Sequence, residues 1–397
     1  MTVIKLKTTD FTTMLANVSK CTFKANIGGL VSNLELKLKN NMLSARTSDS
    51  LNTFILRMSN IEGEPFNIVI PTSEIFRIVP KITTENIELS VDDSSLTLKG
   101  NGTYVFSRLI ENDDPVEYEG IQLLKDPEID IQLDRKEFLV ALDNARPFVG
   151  SAFIDPSLAG YYFSDKLVTS DSVVACFYKK RLFDNDIEFY QSTLDLLSYV
   201  EGDKIRFLKR GNNIQFVGNT FMISSTIHDK QSSFPLKELN AYLGEEFNSS
   251  VTVSVNAIKD TLSRVNVFAG SALSEEGIVV AVVSFTADGV LITDTRGRVS
   301  EIIPYSGKNN FKNFSCYVSI EDFSKVVDIT ESPEVSILYN ENNPNAIRVD
   351  SQCTTRVLGL LDMSESSDNL EEEFEVEETI DDVNDSTVVD NLEDIEW

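Results

Sequence analysis

The sequence repeats itself with a period of about 120 residues, so any fold it adopts is built from three copies of one unit. Asp10, Asp134 and Asn256 stand 124 and 122 residues apart, and each precedes an apolar-periodic stretch: Phe11-Thr-Thr-Met-Leu15, Phe138-Leu-Val-Ala-Leu142 and Ile258-Lys-Asp-Thr-Leu262. A side chain able to accept a bond from a free helix N–H, followed by apolar residues three and four apart, predicts a capped helix. A strand-end signature recurs in step, as Leu43-Ser-Ala-Arg-Thr-Ser-Asp49, Leu167-Val-Thr-Ser-Asp171 and Val290-Leu-Ile-Thr-Asp294. Its aspartates are 122 and 123 residues apart, so two independent markers agree.

Each unit holds a second helical pattern and then a hairpin with its turn at Asp92-Asp93, Gly211-Asn212-Asn213 or Asn342-Asn343-Pro344. The predicted helices are 10–24, 73–82, 134–146, 192–200, 256–265 and 319–328. Two helices among many alternating strands make each unit α+β, with its helices on one face of antiparallel sheets. Boundaries near Asp126 and Ser249 give domains 1–125, 126–248 and 249–363. If neighbouring units pair sheet edges, every internal edge is protected. Two unlike edges remain, and head-to-tail association of unlike surfaces closes a ring when the rotation permits.

Composition narrows the function. Lys plus Arg total 35 against 63 Asp plus Glu, a balance of −28, so any site for a polyanion is local. One histidine, His228, lies in a polar loop beside Asp229-Lys230, and no P-loop, GxGxxG or GxSxG is present. No enzyme is expected. The four cysteines form no CxxC pair, so no metal and no disulfide framework is indicated. Neither cofactor nor membrane partner is expected, since no apolar run approaches the ~18 residues that span a bilayer. Met1-Thr-Val-Ile-Lys-Leu-Lys7 reads as a strand, and a cytoplasmic protein fits best. Residues 364–397 have 15 acidic residues and no Lys, Arg, Gly or Pro, which predicts a disordered tail. Within it Leu370 with Phe374, and Leu392 with Trp397, present a leucine before an aromatic, as short peptides do when they anchor in a groove.

Taken together, these features resemble the bacterial-type DNA sliding clamp, the beta subunit of DNA polymerase III, over about residues 1–363. The resemblance is carried by the triplicated architecture and by Ile70-Pro-Thr-Ser-Glu-Ile-Phe-Arg-Ile-Val-Pro80. Thr169-Ser-Asp171, Phe234-Pro235 and Thr354-Thr-Arg-Val-Leu-Gly-Leu-Leu361 add to it. It implies three tandem clamp domains forming part of a head-to-tail ring, usually a dimer, that encircles duplex DNA without sequence preference. It also implies a DNA polymerase and a clamp loader as partners. A pore for sliding needs weak, mobile phosphate contacts. The six predicted helices carry ten basic and ten acidic residues and are neutral in a strongly acidic chain. The candidate pore residues are Lys20, Lys24, Arg77, Lys81, Arg135, Lys136, Arg146, Lys259 and Arg264, whereas Lys325 stands among three acids. By position, the family's partner groove would involve Leu158, Val173, Val174, Ala175, Val357, Leu358 and Leu360. Ser172-Val-Val-Ala175 replaces the Gly-His-Arg-Leu common in the family, which implies different partners and would suit a phage-encoded clamp acting in a host cytoplasm. The competing reading is a clamp-like adaptor that recruits transcription or repair machinery through groove and tail without stable sliding.

Overall fold

The alternation of the first residues is realised as β1 (Thr2–Lys7), which buries Ile4 and Leu6 and leaves Val3 53% exposed. The computed structural model describes residues 2–22, 32–227, 234–270, 277–307, 309–329, 332–342 and 344–361. β1 runs straight into α1 (Thr8–Val18), which buries Phe11, Met14, Leu15 and Val18 at helical spacing. β2 (Asn33–Lys39), β3 (Met42–Ser48), β4 (Thr53–Ser59) and β5 (Phe66–Pro71) follow. Then come α2 (Thr72–Ile78), a 3-10 turn Val79–Lys81, β6 (Asn86–Val91), β7 (Ser95–Lys99) and β8 (Thr103–Ser107).

The same order recurs twice. The second repeat has β9 (Ile129–Asp134), α3 (Arg135–Ala145), β10 (Gly160–Phe163), β11 (Leu167–Ser170), β12 (Val174–Tyr178), β13 (Ile187–Tyr190), α4 (Gln191–Asp195), β14 (Lys204–Arg210), β15 (Asn213–Val217) and β16 (Phe221–Thr226). A connector helix, α5 (Leu236–Gly244), intervenes. The third repeat has β17 (Ser249–Ser254), α6 (Val255–Ala269), β18 (Val280–Phe285), β19 (Val290–Asp294), β20 (Ser300–Ile303), β21 (Phe314–Ser319), α7 (Ile320–Val327), β22 (Glu334–Tyr339), β23 (Ala346–Asp350) and β24 (Thr354–Gly359). The α+β architecture agrees with the sequence reading, with α5 an addition to it.

Sheets cross the joins between repeats. The order β9-β14-β15-β16-β4-β3-β2-β5 unites the second repeat with the first, and β13-β10-β11-β12-β24-β23-β22-β17 unites it with the third. Four-stranded sheets β1-β6-β7-β8 and β20-β19-β18-β21 remain, with a two-stranded ribbon of Ile110–Glu111 and Asp114–Pro115. The leading ladder keeps the same register in every copy. Ile4, Ile131 and Val251, each third in its leading strand, face Leu89, Phe207 and Ile337. Following the ladder outward leads to Tyr104 on β8, Ile223 on β16 and Arg356 on β24. Ile223 then pairs with Phe54 across the first seam and Arg356 with Cys176 across the second. One apolar core runs from Ile4 to Ile223 and so spans the first seam, and another gathers Phe148, Val174 and Cys176 with the third repeat.

Helix starts differ from expectation. Asp134 does cap α3, accepting from the Glu137 N–H at 3.0 Å, but α1 begins ahead of Asp10, and Ser254 rather than Asn256 caps α6. The cause is a backbone device. The N–H groups of Thr8, Arg135 and Val255 donate to the carbonyls of Glu85, Asp203 and Pro333 at 3.0, 2.9 and 2.9 Å, just before β6, β14 and β22. With its first N–H satisfied by the neighbouring strand, each helix starts where its strand ends. α1 also stops at Val18, short of the predicted 24, and α4 gives way to a 3-10 turn, Leu196–Tyr199.

Candidate functional site

The recurring aspartates close turns. Asp49 Oδ1 accepts from the N–H groups of Leu51 and Asn52 at 2.7 and 2.6 Å, Asp171 Oδ1 from Val173 and Val174 at 3.1 and 2.9 Å, and Asp294 Oδ1 from Arg298 and Val299 at 2.6 and 3.1 Å. Two of these turns sit at seams. At the first, Thr193 of α4 donates to Asn52 Oδ1 at 2.6 Å and lies 3.1 Å from the Ser225 hydroxyl of β16. At the second, Lys325 of α7 reaches Asp171 at 3.8 Å.

Apart from Arg135 and Lys24, the helix cations divide into two groups. Lys20, Arg77, Lys81 and Lys136 are exposed and have no carboxylate within ion-pair distance among the described residues, Lys20 lying over the Tyr199 ring at 5.4 Å. The others are engaged. Arg146 binds Asp195 at 3.0 Å and Asp143 at 2.7 Å, and Lys259 binds Asp328 at 2.5 Å. Arg264 grips Glu301 through Nε at 2.8 Å and Nη2 at 2.5 Å, which holds the Glu301 carboxyl below its usual range. Lys325 is shared by Asp322, Glu321 and Asp171. Arg135 is half-buried, and its Nε has no hydrogen-bond partner among the described residues. Lys24, His228 and the tail residues Leu370, Phe374, Leu392 and Trp397 lie outside the described residues. Ion-paired residues offer little net charge to a phosphate, so among the described residues the unpaired helix cations belong to the first two repeats.

The groove candidates also separate. Strand alternation turns Val174 and Leu358, paired across the second seam, into the core around Phe148, and they are corrected from wall to core. Ala175 and Val357 point the other way, buried with Leu158 under Phe234 and Leu239 of the α5 segment, and Leu360 packs partly buried against the third-repeat core. A consecutive stretch such as Val173-Val174-Ala175 cannot line one surface of a strand. Leu158 and Val173 do line a cavity of about 400 Å³, together with Val149, Ile154, Asp155 and Asp171. Its shape depends on Gly150, whose N–H donates to the Leu158 carbonyl at 2.9 Å and where an added Cβ would meet the Leu158 Cβ at 2.7 Å. The sequence reading missed α5, although Leu236, Leu239 and Leu243 after Pro235 carry a helical stripe.

A second depression, about 540 Å³, lies among α3, α6 and α7, with Lys259, Lys325 and Arg356 at its walls, so these three helices share one side of the second seam. Among the described residues no cluster of three or more His, Cys, Asp or Glu could hold a metal ion, and no helix is long and apolar enough to cross a membrane.

No family model matches the sequence, and no curated protein matches it. Solved structures do match. The DNA polymerase III beta subunit of Thermotoga maritima superposes with a TM-score of 0.78 at 13% identity, over 92% of this chain and 100% of that one. This chain has the sliding-clamp fold. The beta subunit of Borrelia burgdorferi, solved in complex with a natural product, gives 0.79 at 14% identity over 92% and 100%, and the DNA polymerase sliding clamp of Bacillus subtilis gives 0.77 at 13% over 91% and 99%. These clamps are bacterial, and a phage origin gains no support from them.

Proposed function

We propose that the chain is a subunit of a sliding clamp, a processivity factor without enzymatic activity that closes head to tail around duplex DNA and tethers a DNA polymerase after a loader opens it. One observation carries this reading. Both internal seams join the last strand of one repeat to the fourth strand of the repeat before it, and among the described residues one strand of each kind, β8 and β20, is left unmatched.

Several details support closure there. Cys21 and Phe148, three residues past Val18 and Ala145, are fully buried at the two internal seams, whereas the equivalent Phe268 is 44% exposed and its neighbour Val267 76% exposed. Val105 on β8 and Ile302 on β20 are 60% and 54% exposed, apolar side chains that a matching strand would cover. Phe54 and Cys176, the seam partners, pair with Thr47 and Thr169, each two residues before its turn aspartate, and the same count from Asp294 through Ile292 puts Glu301 of the next chain opposite Tyr104. Arg77 holds in α2 the place that Lys325 holds in α7, so on closure it lies beside the Asp294 turn of the next chain, where Arg298 already pairs with the Asp294 carboxylate at 2.9 Å. The free cations Lys20, Lys81 and Lys136 then supply the few phosphate contacts that permit sliding.

The test is mass and register together. Sedimentation of the whole chain at micromolar concentration should give a dimer, and Tyr104→Cys with Glu301→Cys should cross-link it under mild oxidation. A monomer at that concentration, or a dimer that never cross-links through these positions, overturns the proposed closure.

A further inference from the structure

We propose that the cavity beside Leu158 is selective for a cationic peptide, one that places an apolar anchor between lysines or arginines. This rests on reading the cavity as a partner groove and adds the charge of the partner. The apolar part of the site is unusually open. Ile154 in its wall is 83% exposed and the adjacent Phe153 98%, with Val173 42% exposed on the opposite turn. Side chains of this kind held in water mark a surface that another molecule covers.

The polar part has one sign. Asp155, Asp171 and Asp322 line the cavity against a single ammonium, Lys325. That ammonium is already shared, at 2.9 Å from Asp322, 3.0 Å from Glu321 and 3.8 Å from Asp171. Asp155 and Asp171 are fixed by their own turns, accepting from Ser157 N–H at 2.9 Å and from Val174 N–H at 2.9 Å. Hydrogen bonds from Ser157 hold the Asp155 carboxyl below its usual range, so it stays ionised at neutral pH. Three lining carboxylates, with Glu321 also drawing on the one lysine, leave a negative field at the mouth, which attracts a basic segment and repels an acidic one.

Two synthetic peptides test this on the full chain by fluorescence polarisation. One has the sequence of residues 368–374, Asp-Asn-Leu-Glu-Glu-Glu-Phe, and the other keeps its Leu and Phe but carries Lys at every acidic position. At about 50 mM salt the lysine peptide should bind on the order of tenfold tighter, a gap that closes near 0.5 M salt. Asp155→Asn with Asp322→Asn, which keeps shape and removes charge, should narrow it at low salt. Equal or tighter binding of the acidic peptide overturns the charge preference and leaves the groove standing. If neither peptide binds, and Leu158→Asp changes nothing, the groove reading falls with it.

Discussion

At the scale of single residues, Arg356 ties the second seam. It is 2% exposed, and its Nη1 donates to the carbonyls of Lys325, Val326 and Asp328 at 3.2, 3.4 and 2.8 Å, capping the end of α7. Its Nη2 reaches Asn144 Oδ1 of α3 at 3.0 Å, and the guanidinium lies 5.2 Å from the Phe148 ring centre. Arg356→Ala strands these acceptors in a buried site and should cost about 3 kcal/mol in urea denaturation, with Lys restoring only part because it lacks the planar fork. Ser172 makes the opposite case. Its φ of 85° lies in the left-handed region that glycine favours, so Ser172→Gly should stabilise by about 0.5–1 kcal/mol in the same assay. The turn aspartates were legible in the sequence as a repeated signature. Arg356 was not, because nothing local shows that a strand arginine ends at the terminus of a helix 30 residues earlier.

At the scale of elements, the strands were the most legible part, since period-two alternation needs no knowledge of partners. Helix starts were less so. Asp10 and Asn256 look like caps, but the bonds from Thr8 and Val255 to Glu85 and Pro333 decide the boundary, and such pairing lies beyond a local window. The helix cations show the same limit, because the count of ten against ten could not reveal that Lys259, Arg264 and Lys325 are neutralised by Asp328, Glu301 and their acidic neighbours. This yields a contrast. Replacing Lys20, Lys81 and Lys136 together by Ala should weaken retention on DNA several-fold and flatten its salt dependence by about three phosphate contacts per chain. Lys259→Ala with Arg264→Ala should leave DNA retention nearly unchanged and lower stability slightly. Equal effects of the two sets on DNA retention would contradict the division.

At the scale of the whole molecule, a period of about 120 residues foretold three copies of one unit, and the structure shows that the leading ladders agree in register, whereas the turn at the recurring aspartate spans residues 49–52 and 171–174 in the first two copies and 294–299 in the third. What the sequence could not supply is which edges meet. The joins at β16 with β4 and β12 with β24 are tertiary choices, and only once they are seen do β8 and β20 stand out as the unmatched pair. The groove suffered for the same reason, since position along β12 and β24 does not tell which side α5 will cover. A closed ring around a double helix is held by topology rather than by affinity, so the lifetime of the loaded protein on covalently closed circular DNA, measured before and after a single cut, tests the reading most directly. The protein should persist on the circle and leave within the sliding time once an end is opened. Equal lifetimes on circular and linear DNA would mean that no ring encloses the duplex.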